Sequence, residues 1–267
     1  MSNSINTNSG AQIALQALNQ TNRELGMTQN RISTGKNISS AKDNGAIFAI
    51  ATSQRAEQGA LNAVINSMQR GQSILDVTLA GGATIVEALE KQKSLAVAIQ
   101  NSTAASAAET AYLADFNALG SEITRALAGS SFDGVNLFAT TTQQTVLTST
   151  GATGNTAQIG RATATTVTTA GGAVARAGAT AVIVDTAINT FTAFLGTLGS
   201  QSQSLERSLT FTSKLQDAIE TGIGNLVDAD LAKESAKLTA LQTKQQLGVQ
   251  ALSIANQSSG ILLSLFR

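Results

Sequence analysis

Not one proline occurs in the 267 residues of this chain. Proline is the strongest helix breaker, because its ring fixes φ and removes an amide donor. A proline-free chain rich in Ala, Leu, Ser, Thr and Gln is free to run in long helices, and heptad spacing shows where it does so. Leu61, Met68, Leu75, Gly82 and Leu89 stand seven apart, with Val64, Gly71, Thr78, Ile85 and Ile99 on a companion row. This pattern predicts one helix from near Asn44–Gly45 to about Gln100. At 1.5 Å per residue it would be about 80 Å long, the dimension of a rod and not of a globule. Gly81-Gly82 is its expected weak point.

Similar spacing marks the rest of the chain. Ala11, Leu18, Leu25 and Ile32 form a seam beside Ala14, Thr21 and Thr28, but half its positions are small or polar. Gly35 follows, where a C-cap would sit. Ser106-Ala107-Ala108-Glu109 has capping-box spacing and opens a shorter helix to about Ala128. Leu198, Leu205, Thr212, Ile219 and Leu226 form a further row, with a break expected at Thr221–Asn225. Asp228 or Asp230 is expected to cap a last helix carrying the rows Leu231, Leu238, Gln245, Leu252 and Leu241, Gly248, Ala255, Leu262. Asp230–Lys233 and Glu234–Lys237 are expected ion pairs on its outer side. Residues 139–181 differ: Thr, Ala and Gly dominate, and Arg161 and Arg176 are the only charges. Short alternating stretches at Thr145–Thr148 and Thr163–Thr169 predict weak strands in hairpins.

The layout is nearly symmetric about its middle: thin helix, break, long helix, polar insert, long helix, break, thin helix. The expected fold is mainly α, a long antiparallel helical coiled-coil rod with a small β-hairpin-containing insert. The terminal seams are too thin to form a core from two helices alone, so they need further partners.

Composition narrows the function. There is no Cys, His or Trp, and aromatic residues make up 3% of the chain. That removes the usual zinc sites, thiol catalysis, disulfides and Ser–His relays. Zero net charge leaves no bulk basic footprint for nucleic acid. No apolar run is expected to approach the roughly 18–20 residues of a membrane span, and the polar start lacks the pattern of a classical signal peptide. Ser33–Lys36 and Ser39–Lys42 both spell S-x-x-K, but without the partner motifs of a serine acylase. Gly35-Lys36 lacks the earlier glycine of a phosphate loop. Asp228 and Asp230, at a helix start, read as caps before they read as catalytic carboxylates. No catalytic, metal-binding or cofactor-binding set emerges, and the chain is not expected to be an enzyme.

Both ends of the chain resemble bacterial flagellin. The resemblance rests on Ile5-Asn6-Thr7-Asn8, on RISTGKNISSAKDNGAIFAIA from Arg31 to Ala51, and on Phe132-Asp133-Gly134-Val135-Asn136-Leu137. At the other end it rests on NLVDADLAKESAKL from Asn225 to Leu238 and LGVQALSIANQ from Leu247 to Gln257. It is similar to short alphaproteobacterial forms and covers roughly residues 1–138 and 190–267. Two departures stand out. Asn256-Gln257 is followed by Ser258-Ser259-Gly260 where related flagellins often carry Pro. Leu89–Leu95 carries Lys91 and Ser94 where receptor-sensed flagellins have Arg and Glu. Lys does not reproduce the bidentate fork of Arg, so receptor binding is not carried over.

The resemblance implies a structural subunit that self-assembles into an extracellular flagellar filament used for motility. It implies a terminal helical pair, 1–34 and 230–267, lining an inner tube, with linkers at 35–43 and 222–229. It implies a helical rod domain at 44–138 and 182–221, with 139–181 as a variable outer insert. The implied partners are further copies in a helical homopolymer, the type III export machinery and a chaperone, and hook-junction and cap proteins. The self-assembly seam is expected at Leu18, Leu25, Ile32, Leu238, Leu252, Leu262, Leu265 and Phe266, the last two in a closing apolar run that another surface should bury. The rival readings are a hook–filament junction protein and a secreted coiled-coil adhesin or translocator. Neither accounts for the DADLAKESAKL run and the paired end motifs together.

Overall fold

The computed structural model describes residues 8–139, 142–151, 156–160 and 174–264, with side chains as far as residue 257. Five helices dominate: α1 Ser9–Thr34, α2 Gly45–Asn101, α3 Ala107–Gly129, α4 Ala181–Val227 and α5 Leu231–Ser264. Strands β1 Gln144–Leu147 and β2 Thr156–Ile159 pair antiparallel, Gln144 opposite Ile159 and Leu147 opposite Thr156. The fold is mainly α with a small hairpin. β1 falls on the expected alternating stretch, whereas Thr163–Thr169 lies outside the described residues. The chain divides into two compact units, residues 1–56 with 218–267 and residues 57–217, and α2 and α4 contribute to both.

In the unit of residues 57–217, α2 and α4 pack antiparallel. Asn62 meets Gln216, Gln72 meets Ser202 and Lys93 meets Asp185. The expected α2 rows are buried, and Gln92 extends the companion row, its Nε2 donating to the Phe116 carbonyl at 2.9 Å. The double glycine is no weak point. Leu195 packs where a Cβ at Gly82 would stand, and the Ser130 hydroxyl does so at Gly81. These glycines bring neighbours against α2, which outweighs their poor helix propensity. Phe138 stacks on Phe191 at 5.4 Å and meets Phe194 edge-on at 5.9 Å.

Local turns follow their residues. Ser106 accepts from the Glu109 amide as the capping box predicts, while the Glu109 carboxylate reaches back to the amide of Ala105. Asp133 and Gly134 both have positive φ, 50° and 76°, in a tight turn closed by Phe132 and Val135. Asn136 then donates to the Leu127 and Ala128 carbonyls, capping the end of α3.

The segment 139–181, expected as an outer insert, is anchored to the unit of residues 57–217 at several described points. Val146 and Ile159 are buried, and a Val146 methyl lies 2.7 Å from where a Cβ at Gly71 would be. Gln201 holds both the amide and the carbonyl of Gly160, and Asn117 holds both of Val174. Arg176 donates to the Gln100 and Ser102 carbonyls and pairs with the buried Glu109 at 3.2 Å. It thereby satisfies the carboxyl end of α2 and the acid of the α3 cap together. Low charge and high Thr content conceal these few apolar and polar anchors.

The second unit is built on α1 and α5, also antiparallel. Asn8 caps α1 through the Ala11 amide and donates to the Ala255 carbonyl at 2.7 Å. Leu18 packs on Gly248, Asn22 meets Gln245, and Arg31 meets Glu234 at 3.2 Å. Glu234 thus pairs across the helices, not with Lys237 as expected, and Asp230 caps α5 through the amides of Ala232 and Lys233 instead of pairing with Lys233. Gly35 ends α1 with φ 68°. The break after it pairs with the one between α4 and α5. Lys36 bridges Asp228, Asn37 donates to the Val227 carbonyl, and Ala229 donates to that of Gly35. The expected break at Thr221–Asn225 does not occur, and α4 continues to Val227. Ala51, Ile223 and Val227 are buried against one another there, which holds the helix through its two glycines.

α4 also contains an 18-residue window of mean hydropathy 1.4, apolar enough by length and composition to cross a membrane. This corrects the expectation that no apolar stretch approaches that length; Thr and Gly interleave with the apolar residues and mask it in the sequence. Phe191, Phe194 and Leu198 of this helix are buried in the core of the 57–217 unit.

Candidate assembly surface

The α1–α5 pair sorts its apolar side chains into two sets. The first faces the partner helix. Thr21, Thr28 and Leu241 are buried, and the predicted seam residues Leu18, Leu25, Ile32, Leu238 and Leu252 are half-buried. The Leu262 side chain, Leu265 and Phe266 lie outside the described residues. The second set is exposed: Ile13, Leu15 and Met27 on α1, and Leu231, Leu247, Val249 and Ile254 on α5. Ile13 and Ile254 are each 68% exposed. Heptad reasoning finds the first set because those residues share a period. Of the second, it marks only Leu231; the others are apolar residues off the rows.

The two helices also differ from each other. α1 gathers its apolar residues toward one face. On α5 they are spread round the whole helix. A helix whose apolar residues do not share one face is not fully covered by a single partner helix. Within this chain α1 is the helix paired lengthwise with α5, and Leu247, Val249 and Ile254 remain uncovered. Exposed apolar residues repeated along two helices mark an interaction surface.

Other chemistry is sparse. Among the described residues no group of three or more His, Cys, Asp or Glu gathers to hold a metal ion. Asp228 and Asp230, the one carboxylate pair of interest, serve local structure: Asp230 caps α5, and Asp228 pairs through its backbone with Lys36. Asp43 accepts from the amides and hydroxyls of both Ser39 and Ser40. The amides of Ser40 and Ser39 hold its carboxyl below the ordinary range, which keeps the loop before α2 folded on a charged group.

Comparison with known proteins agrees with this architecture. Residues 5–143 match the bacterial flagellin N-terminal helical region, and residues 181–266 match the bacterial flagellin C-terminal helical region. Flagellin FljK of Caulobacter vibrioides is 52% identical over 274 residues, covering 99% of both chains. A flagellin of Brucella melitensis is 37% identical over 281 residues, again covering 99% of both. Flagellin C of Rhizobium meliloti is 32% identical over 318 residues, with the same coverage. Two matched helical regions, likeness along the whole length, and a terminal helix pair left with uncovered apolar faces lead to one conclusion: the chain belongs to the bacterial flagellin family.

Proposed function

We propose that this chain, a structural subunit of the extracellular bacterial flagellar filament, polymerises by burying the residues that α1 and α5 leave exposed. The observation that carries the reading is the set of large apolar side chains that α5 leaves uncovered, Leu247, Val249 and Ile254. Ile13, Leu15 and Met27 supply the matching surface on α1. Leu18, Leu25, Ile32, Leu238 and Leu252 join the seam with the half of their surface still free, and Leu262, Leu265 and Phe266 extend it. Each Leu, Ile or Phe buried between subunits contributes about 1.5–3 kcal/mol. In a polymer the same contact recurs at every subunit. Contacts that do not close on themselves give a helical filament.

In this reading the terminal pair lines an inner tube, and residues 44–138 with 182–221 surround it. Residues 139–181 lie on the outside, anchored through Val146, Ile159 and Arg176. The subunit reaches the filament through the flagellar export apparatus with a chaperone, and meets hook-junction and cap proteins at the filament ends. The filament subunit is preferred to a junction protein because relatives named flagellin match both ends and the middle of the chain.

Leu247→Asp and Ile254→Asp test the seam. Both side chains point away from α1, so the helical signal and melting temperature of the monomer should stay within a degree or two of wild type. After seeding with short filaments, the variants should remain in the supernatant while wild type pellets. Variants that pellet at wild-type yield would place the seam elsewhere.

A further inference from the structure

Asn44–Gly45 is the only Asn-Gly pair in the sequence. This dipeptide favours loss of the side-chain amide, because Gly puts no side chain in the way of its own backbone nitrogen. The Gly45 nitrogen attacks Cγ of Asn44, a C–N bond forms, and the amide nitrogen leaves as ammonia with the displaced proton. Water then opens the cyclic imide at either carbonyl, giving aspartate or isoaspartate at position 44. Asn44 and Gly45 are exposed, and the space where a Gly45 Cβ would stand is empty, so neither water nor ring closure meets a steric barrier.

The fold places one obstacle before this reaction. The Asn44 Oδ1 accepts from the amides of Ala46 at 3.1 Å and Ile47 at 3.2 Å, as the N-cap of α2. The Asn44 carbonyl accepts from the Phe48 amide at 3.0 Å, which fixes the peptide plane between Asn44 and Gly45. Ring closure needs Cγ swung onto the Gly45 nitrogen, and that rotation takes Oδ1 off both amides. The group that reacts is therefore the group that caps the helix.

We infer that Asn44 is a deamidation site gated by its own helix cap, inert while the cap is closed and reactive when the start of α2 opens. The two products differ in consequence. Aspartate is as good an N-cap as asparagine and adds a charge that suits the helix dipole. Isoaspartate carries the main chain through the side-chain carbon, lengthening it by one atom between the Asp43 loop and the first turn of α2. Only the second product uncouples that loop from the helix.

The test uses the full chain, incubated at mildly alkaline pH in native buffer and, in parallel, in concentrated urea. Peptide mass spectrometry follows amide loss at Asn44, and an isoaspartyl methyltransferase assay reports isoaspartate. A cap of ordinary strength should slow the native reaction about five-fold or more relative to the unfolded chain. Asn66–Ser67, within α2, provides the internal comparison, and Asn44 should be the faster of the two in urea. Gly45→Ala, which has open space for its methyl, should fold and should slow the loss in urea. Equal rates in native buffer and urea would overturn the gating. An Asn44 that survives in urea while Asn66 converts, or no effect of Gly45→Ala there, would overturn the site itself.

Discussion

The two units of this molecule use the same helical material to opposite ends. In residues 57–217 the seam positions carry Leu61, Met68, Leu75, Leu89, Phe116 and Phe191, all but sealed from solvent. In the terminal unit the corresponding positions on α1 carry Thr21 and Thr28, and the Thr28 hydroxyl is buried with no hydrogen-bond partner. One unit completes its core within one chain. The other makes a narrow polar-lined contact and leaves larger apolar residues outside. A segment that must pack against copies of itself cannot spend its apolar surface on its own chain.

The largest test of this contrast is truncation in each core. Phe191→Ala should cost about 3–5 kcal/mol, the usual loss for a buried aromatic. Leu241→Ala, in the terminal unit, should fall at the low end of the Leu series, about 2 kcal/mol, because fewer side chains enclose it. Hydrogen exchange resolved by peptide reads each unit separately. Equal losses would erase the distinction between a closed core and an open one.

A sharper probe is Arg176, because it lies in the segment that looks dispensable by composition. Arg176→Gln leaves Glu109 buried without its cation and weakens the end of α2. Breaking a buried pair costs about 3–5 kcal/mol, but the Arg176 side chain is about a third exposed, so about 2 kcal/mol is expected here. Proteolysis between residues 100 and 110 should accelerate in the variant. Unchanged cleavage would show that the segment is a passenger in the larger unit.

Glycine substitutions follow in size and should differ in sign. Gly82→Ala drives a methyl into Leu195 and should destabilise by about 1–3 kcal/mol. Gly26→Ala, on α1 with nothing near it, should stabilise by about 0.5–1 kcal/mol through helix propensity. Chemical denaturation of both variants, followed by circular dichroism, reads the difference. The same sign at both sites would mean that the two units are packed alike.

The smallest effect is that of pH on the loop before α2. The folded carboxyl of Asp43 titrates below its unfolded value because the amides of Ser40 and Ser39 favour the charged form. Its contribution is therefore complete above the ordinary Asp range and fades as pH falls through the folded value. The protection of the Ser39 and Ser40 amides, measured against intrinsic exchange at each pH, should fall as pH drops through the folded value, and Asp43→Asn should remove that dependence. An acid response that persists in the variant would assign it to another group.

The helices were legible in the sequence because their signals are local or periodic. The rows Leu61–Leu89 and Val64–Ile99, the Gly35 cap and the Ser106–Glu109 box depend on residues within a turn or two of one another. On the terminal helices the heptad rows marked Leu18, Leu25, Ile32, Leu238 and Leu252, which the α1–α5 pairing half-buries. Ile13, Leu247 and Ile254 lie off the heptad rows, so periodicity has no means of marking them.

The anchors of the segment 139–181 were illegible for a related reason. Val146 on Gly71, Asn117 on Val174 and Arg176 on Glu109 join residues 57 to 75 positions apart, and nothing local announces such partners. The sequence by itself determined that this chain is helical, paired at its ends and without Pro, Cys or His. Tertiary structure decided that Gly81 and Gly82 are contact points and not breaks, and that Glu234 pairs with Arg31 across two helices. It also decided which apolar residues of α1 and α5 stay uncovered. Those outcomes depend on which surfaces meet, and burial is a property of the neighbours as much as of the residue.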